Sequence, residues 1–292
     1  MPGELELMLQ ALINPKAQQL PFLTAVMVLG VETLQKVQDS PTTTTNDTYF
    51  REVLADAPVA YWRLDEVSGS TAFDWAPPAS YTNSGNNGTY TGGVTLAQPG
   101  ALGDLDYAAS FDGVTGYVVV LDAAPLRITG DLTIEVWVKP TGTMSDDKDL
   151  VVKAGPSGIA APYKLRAFNN GLQPGFVTGN GSSQDVCTNG SFQFTPNNWY
   201  HVVGTKAGSL MSLYVNGALV ATQTAATALA DGGLNLVIGC DEGSIRFFAG
   251  VIDEVAVYNT ALSAARVLAH YNARNGSPTD DNLTRGLAEV AS

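Results

Sequence analysis

The sequence is poor in the residues on which metal, redox and nucleic-acid chemistry depend. Its 292 residues include two histidines and two cysteines, Cys187 and Cys240, which form no metal-ligand pattern. We interpret the cysteines as buried thiols, with a single disulfide as the alternative that the sequence leaves open. Only 15 residues are lysine or arginine, against 28 aspartates and glutamates, and they form no basic cluster. Nucleic-acid binding is therefore not expected, whereas the net charge of −13 suits divalent cations or simple solubility.

Long hydrophobic runs and a basic leader are also missing. The apolar run at 22–31 has ten residues, whereas a helix needs roughly 20 to cross the hydrocarbon core of a membrane. We therefore expect no membrane insertion. The first ten residues, MPGELELMLQ, are acidic where a secretory signal is basic, so we expect no such signal.

Short runs of alternating apolar and polar residues fill the chain from 48 to 272. The most informative one is WYHVVGTKAGSLMSLYVNGALVAT at 199–222. There, Asn216-Gly217 separates two strands and predicts a type I′ hairpin turn, because both residues tolerate positive φ. We predict strands at 59–64, 108–111, 117–120, 132–139, 150–153, 163–168, 176–178, 210–215, 218–222, 234–238 and 248–258, and a closing helix at 263–272. Many short strands favour a mainly β, antiparallel two-sheet jelly-roll sandwich.

Both ends of the chain differ in character from this β-rich region. Residues 1–39 are predicted to form a helical arm, and residues 40–47, SPTTTTND, a linker. Residues 273–292 form a polar tail. One face of the arm repeats apolar residues at spacings typical of a heptad seam: Leu20, Leu23, Met27, Leu34 and Val37. The seam either packs on its own domain or a neighbouring protein, or joins copies of the chain into a homo-oligomer such as a trimer.

Several motifs occur in an order that resembles a known family. They include AYWRLD at 60–65, FDG at 111–113, LTIEVWVKP at 132–140 and GVIDEV at 250–255. Together they resemble the laminin-G-like / concanavalin A-like lectin domain. The resemblance implies a jelly-roll sandwich that recognises carbohydrate or protein, often with calcium.

The same family supplies appendages on bacteriophage virions, commonly behind an unrelated N-terminal anchor. By that analogy we expect a non-enzymatic virion surface protein, on the capsid or tail, that binds other virion proteins and host-surface glycan. Two alternatives stay open. One is a bacterial extracellular or cell-surface carbohydrate-binding module, and the other is a structural capsid cement that binds no sugar.

Catalysis is not expected, although some glycoside hydrolases share this sandwich. They use two carboxylates that project from one face of the site. The long strand at 132–139 holds only Glu135, and an Asp-rich cluster at 146–149 is predicted to lie in a polar loop. The pairs Asp65-Glu66 and Asp253-Glu254 are adjacent in sequence, so the two members of each pair should point to opposite faces of a strand. We expect His201 to be packed and hydrogen-bonded.

Calcium is expected where the first and last strands meet. If the strand before Asp65 pairs antiparallel with the strand containing Asp253, the two carboxylates lie close together and repel each other. A bound cation would relieve that repulsion, and Asp74 and Asn87 would complete an oxygen shell. The alternative is that these side chains are solvated or hydrogen-bonded to turns.

Four aromatic residues outside the clear core pattern are candidates for stacking on a sugar ring. They are Trp75, Tyr81, Tyr163 and Phe168, and the last is followed by Asn169 and Asn170. Amide side chains of this kind would bond sugar hydroxyls. Turn structure also explains many asparagines, so the pattern alone selects none of the four aromatics.

Removal of residues 1–47 tests the role assigned to the arm. We expect the remaining chain to fold as a monomer, because the apolar seam lies wholly in the deleted part. The molar mass in solution, measured by light scattering for both proteins, decides the matter. A truncated protein that keeps the oligomeric mass of the full chain would refute self-association through the arm.

Overall fold

The computed structural model describes residues 48–77, 85–102, 106–142, 144–154, 161–230, 233–241 and 245–274. The predicted arm, the linker and its seam residues Leu20, Leu23, Met27, Leu34 and Val37 lie outside the described residues, as does Tyr81. The described residues belong to one compact unit, Thr44–Ser292.

Two antiparallel eight-stranded sheets form the sandwich and confirm the predicted fold class. Sheet I has the order β14-β13-β12-β7-β16-β5-β4, with β1 also paired to β16. Its strands are β1 Ala60–Trp62, β4 Val94–Pro99, β5 Tyr107–Asp112, β7 Leu132–Pro140, β12 Tyr200–Ala207, β13 Leu210–Val215, β14 Ala218–Thr224 and β16 Ala249–Tyr258.

Sheet II has the order β11-β10-β9-β8-β15-β6-β3-β2. Its strands are β2 Thr71–Ala72, β3 Gly88–Thr91, β6 Tyr117–Val120, β8 Lys148–Lys153, β9 Tyr163–Ala167, β10 Gln173–Gly179, β11 Gln184–Thr188 and β15 Leu236–Ile238. The helical elements are α1 Thr48–Ala55, a 3₁₀ turn Ala124–Leu126, the single turn α2 Phe168–Gly171, and α3 Ala264–Ala273.

The main core lies between the two sheets. Alternate residues of β7, namely Ile134, Val136 and Val138, face it and are fully buried. The intervening residues of β7 point to the other face of sheet I, as the two-residue period of a strand requires. That outer face is covered by α1 and α3, which form a second apolar cluster with Trp137 and Tyr258.

One buried carboxylate joins both helices to sheet I. Glu135, in the middle of β7, accepts hydrogen bonds from the hydroxyls of Tyr49 on α1, at 2.6 Å, and Tyr258 on β16, at 3.0 Å. Its Oε1 lies 2.6 Å from Nε2 of His201 on β12, and its Oε2 lies 2.9 Å from Nδ1 of His270 on α3. The packed, hydrogen-bonded state predicted for His201 is therefore confirmed.

The charges of this network are mutually compensating. Burial alone would raise the pKa of Glu135, but His270 and the bonds from both histidines hold it well below its usual range. Burial would lower the pKa of His270, yet Glu135 and Asp56 raise it above its ordinary value. For His201 burial dominates and lowers the pKa. An ionised carboxylate thus meets one imidazolium, which also reaches Asp56 at 2.9 Å.

Most predicted elements are confirmed, including the hairpin and the closing helix. Asn216 and Gly217 have φ values of 52° and 76°, as a type I′ turn requires. Ser263 caps α3 by accepting a hydrogen bond from the backbone N–H of Arg266. The two cysteines, Cys187 and Cys240, are buried and free.

The sequence pattern missed α1 and the strands β2, β3, β4 and β11. The four strands lie between turn-rich segments, and β2 has only two residues, so no alternation was long enough to detect. Helix α1 was missed because its buried residues, Tyr49 and Val53, are only two. The Asp-rich stretch was also misplaced, because Asp149 lies within β8 and is fully buried.

Replacement of Gly217 by valine should lower the free energy of unfolding by about 1–3 kcal/mol, the usual cost of a strained backbone at positive φ. The added Cβ would also lie 2.8 Å from Leu268 Cδ1 and 3.2 Å from Tyr271 Cβ on α3. Gly130→Val is the matched control, since an added Cβ there meets no atom within 4 Å. Urea unfolding of both variants provides the measurement, and equal stabilities would contradict the hairpin assignment.

Candidate functional site

Strand β9 directs two sets of side chains to opposite faces of sheet II. Tyr163, Leu165 and Ala167 enter the core. Lys164 and Arg166 project from the outer face, and Phe168 follows at the same two-residue spacing. The ring of Phe168 covers Gly175 on β10, where an added Cβ would lie 2.4 Å from its Cε2 atom.

The charged residue in the middle of this row is fixed by a carboxylate. Arg166 donates from Nε to Oδ1 of Asp149 at 2.6 Å and from Nη2 to Oδ2 at 2.9 Å. This two-bond geometry is among the strongest ion pairs in proteins. The guanidinium carbon of Arg166 also lies 5.6 Å from the ring centre of Phe168, within reach of a cation–π contact. The ring of Phe168 is thus held by its contacts with Gly175 and Arg166.

The chain leaves β9 through an unusual turn. Asn169 and Asn170 have φ values of 51° and 61°, in the left-handed region that asparagine enters more readily than most residues. Both are exposed. The turn is held by two bonds, from Asn169 N to Asp147 Oδ1 at 3.1 Å and from Met144 N to Asn170 O at 2.9 Å. Both amides are therefore offered to solvent on an ordered backbone.

We call the outer surface formed by Lys164, Arg166, Phe168, Asn169 and Asn170 the β9 face. It combines an aromatic ring, two exposed amides and buried charge. Ligand sites typically pair apolar or aromatic contact with a few placed polar groups, and amides both donate and accept hydrogen bonds. The β9 face therefore has the chemistry to hold a ligand rich in hydroxyls.

A second charged cluster lies where β1 meets β16. Asp106, Asp253 and Glu254 bring carboxylate oxygens within 4.8 Å of one another. Arg63 supplies positive charge, with Nε 3.1 Å from Glu254 and Nη2 3.7 Å from Asp106. Its Nη1 lies 3.6 Å from Asp65. One guanidinium therefore faces three carboxylates, and Asp253 lies beside two of them. All of these groups but Asp106 are at least 95% buried.

The excess of negative charge in this cluster acts most strongly on Asp253. Burial, followed by the charges of Asp106 and Glu254, raises the pKa of Asp253 well above its usual value. Its Oδ2 accepts a bond from the backbone N–H of Ala101 at 2.9 Å. No described residue donates a hydrogen bond to its Oδ1, although the atom is buried. The site can relieve the repulsion either by keeping a proton on Asp253 or by holding a cation.

These two sites lie in a fold that comparison with known proteins identifies. The family model described as "Concanavalin A-like lectin/glucanases superfamily" matches residues 112–268. The chain belongs to this superfamily. No curated protein matches the chain.

Several solved structures share the jelly-roll fold of this chain. Domain 4 of AbnA, a GH43 extracellular arabinanase from Geobacillus stearothermophilus, in complex with arabinotriose, is 17% identical with a TM-score of 0.54, covering 73% of this chain and 98% of that one. The binding domain of Paraclostridial Mosquitocidal Protein 1 is 14% identical with a TM-score of 0.58, covering 75% and 52%. The botulinum neurotoxin serotype D binding domain is 15% identical, with a TM-score of 0.55 and coverage of 75% and 51%. The chain thus spans about half of each toxin domain, and at these identities the likeness shows the fold alone.

The four aromatic residues predicted to stack on a sugar ring differ in their exposure and contacts. Phe168 lies half-buried on the β9 face. Tyr163 is wrong as a ligand residue, because it is fully buried and its hydroxyl donates to the carbonyl of Leu126 at 2.6 Å. Trp75 is half-buried and meets the ring of Phe50 edge-on at 6.0 Å, so it is not the open platform that was predicted. Tyr81 lies outside the described residues.

The four predicted calcium ligands also separate. Asp65, Asp74 and Asp253 do not come together as a group within the part of the chain that the structure describes. Asp74 instead accepts bonds from the backbone N–H groups of Tyr61 and Ala76, each at 2.9 Å. Asn87 accepts one from the N–H of Asp74 at 2.9 Å. Asp74 and Asn87 thus bond to backbone turns, the alternative that the sequence left open.

The expectation that Asp253 and Glu254 point apart is wrong. A bulge shifts the register of β16 between Asp253 and Ala256, and Glu254 adopts a φ of 51°. The extra residue interrupts the two-residue alternation, so both carboxylates enter one cluster with Asp106. A bulge leaves no reliable mark in a single sequence. The pairing of β1 with β16 was predicted and is confirmed.

Glu135 is not accessible as one of the two carboxylates that a glycoside hydrolase of this fold would need. That carboxylate is fully buried and saturated by two tyrosines and two histidines.

No described helix is long and apolar enough to cross a membrane.

The pH dependence of stability tests the assignment of Asp253. Because its folded-state pKa is raised, the folded protein keeps a proton that the unfolded chain releases above the ordinary value of 3.8. Stability from this group is therefore present at low pH and is lost as pH rises through the folded pKa. Asp253→Asn cannot ionise, and its Oδ1 can still accept from Ala101.

We expect the unfolding free energy of the native protein, in chelator, to fall relative to Asp253→Asn as pH rises from 5 to 8. Denaturant unfolding across that range gives the comparison. Asp146→Asn, at an exposed carboxylate, serves as the control and should follow the native curve. Parallel curves for the native protein and Asp253→Asn would contradict the assignment.

Proposed function

We propose that this protein is a non-enzymatic carbohydrate-binding module displayed on the surface of a bacteriophage virion, where it contacts host-surface glycan. The observation that carries the binding role is the β9 face. It joins a half-buried aromatic ring, Phe168, to the exposed amides of Asn169 and Asn170 in the turn that directly follows β9. The turn is held by hydrogen bonds from Asn169 N to Asp147 Oδ1 and from Met144 N to Asn170 O, and a site on a fixed backbone is more precise than one on a mobile loop.

The similar structures support a binding role in a limited way. One is a domain of an arabinanase, solved with arabinotriose, and others are the binding domains of toxins. Those ligands and roles belong to those proteins. What they support here is that this sandwich is used as a binding domain in several proteins. A binding role also agrees with the burial of Glu135, whose carboxylate is not accessible to a substrate.

Display on a virion is supported by the sequence. The predicted arm at 1–39 and the Thr-rich linker at 40–47 precede the sandwich, as an anchor would. We propose that the arm joins copies of the chain and contacts other virion structural proteins, and that the sandwich projects outward. A capsid cement would use the same arm without needing the β9 face, so the binding experiment below separates the two.

We propose further that calcium binds at Asp106, Asp253 and Glu254. Three carboxylate oxygens within 4.8 Å suit a cation that prefers oxygen ligands, and the Oδ1 of Asp253 is free to serve as one. Arg63 offsets only part of the charge. Calcium added to the pH series above should restore the stability lost at high pH, because a ligand of the folded state stabilises it. Identical curves in calcium and in chelator would refute this site.

Replacement of Phe168 by alanine tests the proposed function. Glycans bound by the native protein in a screen of bacterial polysaccharides should bind Phe168→Ala at least tenfold more weakly, about 1.4 kcal/mol. Isothermal titration calorimetry gives the affinities. Phe73→Ala is the matched control, since Phe73 is also half-buried and follows β2, five strands from β9 in sheet II.

The outcomes distinguish the alternatives. Equal binding by native protein and Phe168→Ala would move the ligand site elsewhere on the sandwich. No binding to any glycan by the folded full-length protein would contradict the carbohydrate role and favour a structural cement.

A further inference from the structure

The least satisfied charge of the β9 face belongs to Lys164. The residue is 1% exposed. Its neighbours across the ladder are Val152 on β8 and Val177 on β10, which are 3% and 0% exposed and share its face of the sheet. No described residue accepts a hydrogen bond from its ammonium. A charged side chain that is almost wholly covered, lies between two valines and finds no hydrogen-bond acceptor among the described residues is costly to the folded protein.

The charges around Lys164 show what is missing. Among the described residues, the charged groups that act on it most strongly are Asp149, Arg166, Arg246 and Asp241. They already form two pairs, Arg166 with Asp149 at 2.6 Å and Arg246 with Asp241 at 3.0 Å. Among these described groups, three cations therefore face two carboxylates, and Lys164 supplies the positive charge that is left over. Asp147 lies farther out, 4.0 Å from Arg166 and 37% exposed, where water screens it.

We infer that Lys164 binds the carboxylate of an acidic sugar residue, so that the ligand of the β9 face is an anionic oligosaccharide. This inference rests on the proposed carbohydrate-binding function and names its ligand class. One unmatched charge calls for a group with a single negative charge, such as a carboxylate. An ion pair shielded from water by valines is stronger than one at the surface.

The geometry suits a small charged group attached to a larger ring. Lys164 lies below the surface, so a pendant carboxylate reaches it more readily than a whole ring does. Its flexible four-carbon stem allows the ammonium to move toward the ligand. Phe168 follows four residues later, ~13 Å along the chain at about 3.3 Å per residue. A ring on Phe168 and a carboxylate at Lys164 therefore belong to different units of one oligosaccharide.

The ionisation of Lys164 gives the inference a pH signature. Burial lowers its pKa to about 8, so the amine is charged at neutral pH and becomes neutral in mildly alkaline solution. A neutral amine no longer attracts a carboxylate. Binding of an acidic glycan should therefore weaken as pH rises from 7 to 9, whereas binding of a neutral glycan through Phe168 should not.

The test uses the full-length protein and three acidic probes: oligosaccharides of alginate, polygalacturonate and hyaluronate. Each is compared with its carboxyl-reduced form, which has the same backbone without the charge. The variant is Lys164→Met, which keeps the length of the side chain and removes the ammonium. Lys139→Met is the matched control, since Lys139 is half-buried on sheet I, with its ammonium 5.0 Å from the ring centre of Trp199.

We expect at least one acidic probe to bind the native protein, and carboxyl reduction to weaken that binding at least tenfold. Lys164→Met should cause a similar loss, with no further loss for the reduced probe, because both changes remove the same ion pair. Lys139→Met should bind as the native protein does. The melting temperature of Lys164→Met should equal or exceed that of the native protein, since a buried unpaired charge has been removed. That result excludes misfolding as the cause of the loss.

Three outcomes overturn the inference and are separate from failure of the proposed function. Binding of acidic and reduced probes with equal affinity, or equal binding by Lys164→Met, would show that Lys164 does not read a carboxylate. Binding to neutral glycans alone, lost in Phe168→Ala, would keep the proposed function and reject the acidic ligand. No binding to any probe or neutral glycan would reject both.

Discussion

The arrangement of the molecule depends on one buried carboxylate. Glu135 sits in the middle of sheet I, where an ionised side chain is tolerated only because four neighbours bond to it. Two of these, Tyr49 and His270, come from the helices that cover the sheet, and two, His201 and Tyr258, come from adjacent strands. Removing one partner of a buried ion typically costs about 3–5 kcal/mol, so the helices are held in one place. The covered face of sheet I is thereby closed to ligands, and the ligand face proposed here lies on sheet II.

Three buried charge clusters show how differently one fold treats charge. The cluster at Glu135 is matched within the chain, since histidine and tyrosine donors surround the carboxylate. Among the described residues, the clusters at Asp253 and Lys164 are unmatched, one with excess negative charge and the other with an ammonium that has no hydrogen-bond acceptor. Proteins tend to keep such locally unfavourable groups where function requires them. For this reason we interpret the cluster at Glu135 as structural. We propose that the cluster at Asp253 binds a cation and that Lys164 binds an anion.

The sequence predicted the fold far better than the sites. Regular alternation and Asn216-Gly217 located most strands, because both are local properties of the chain. The role of Glu135 depended on residues from four other elements that meet only in the folded protein. The bulge that brings Glu254 beside Asp253 was invisible for the same reason, and so was the burial of Tyr163. Lys164 could have been noticed as a lysine between Tyr163 and Leu165 in a buried strand, but its lack of a partner required the structure.

We propose that this superfamily member binds saccharide on the β9 face. Hydrogen–deuterium exchange of the full-length protein, with and without a saturating glycan, tests it most directly. We expect slower exchange in β9, the turn at Phe168–Gly171 and the flanking ends of β8 and β10, with no change in the hairpin at Asn216. Protection confined to another part of the sandwich, despite saturation by the glycan, would contradict it.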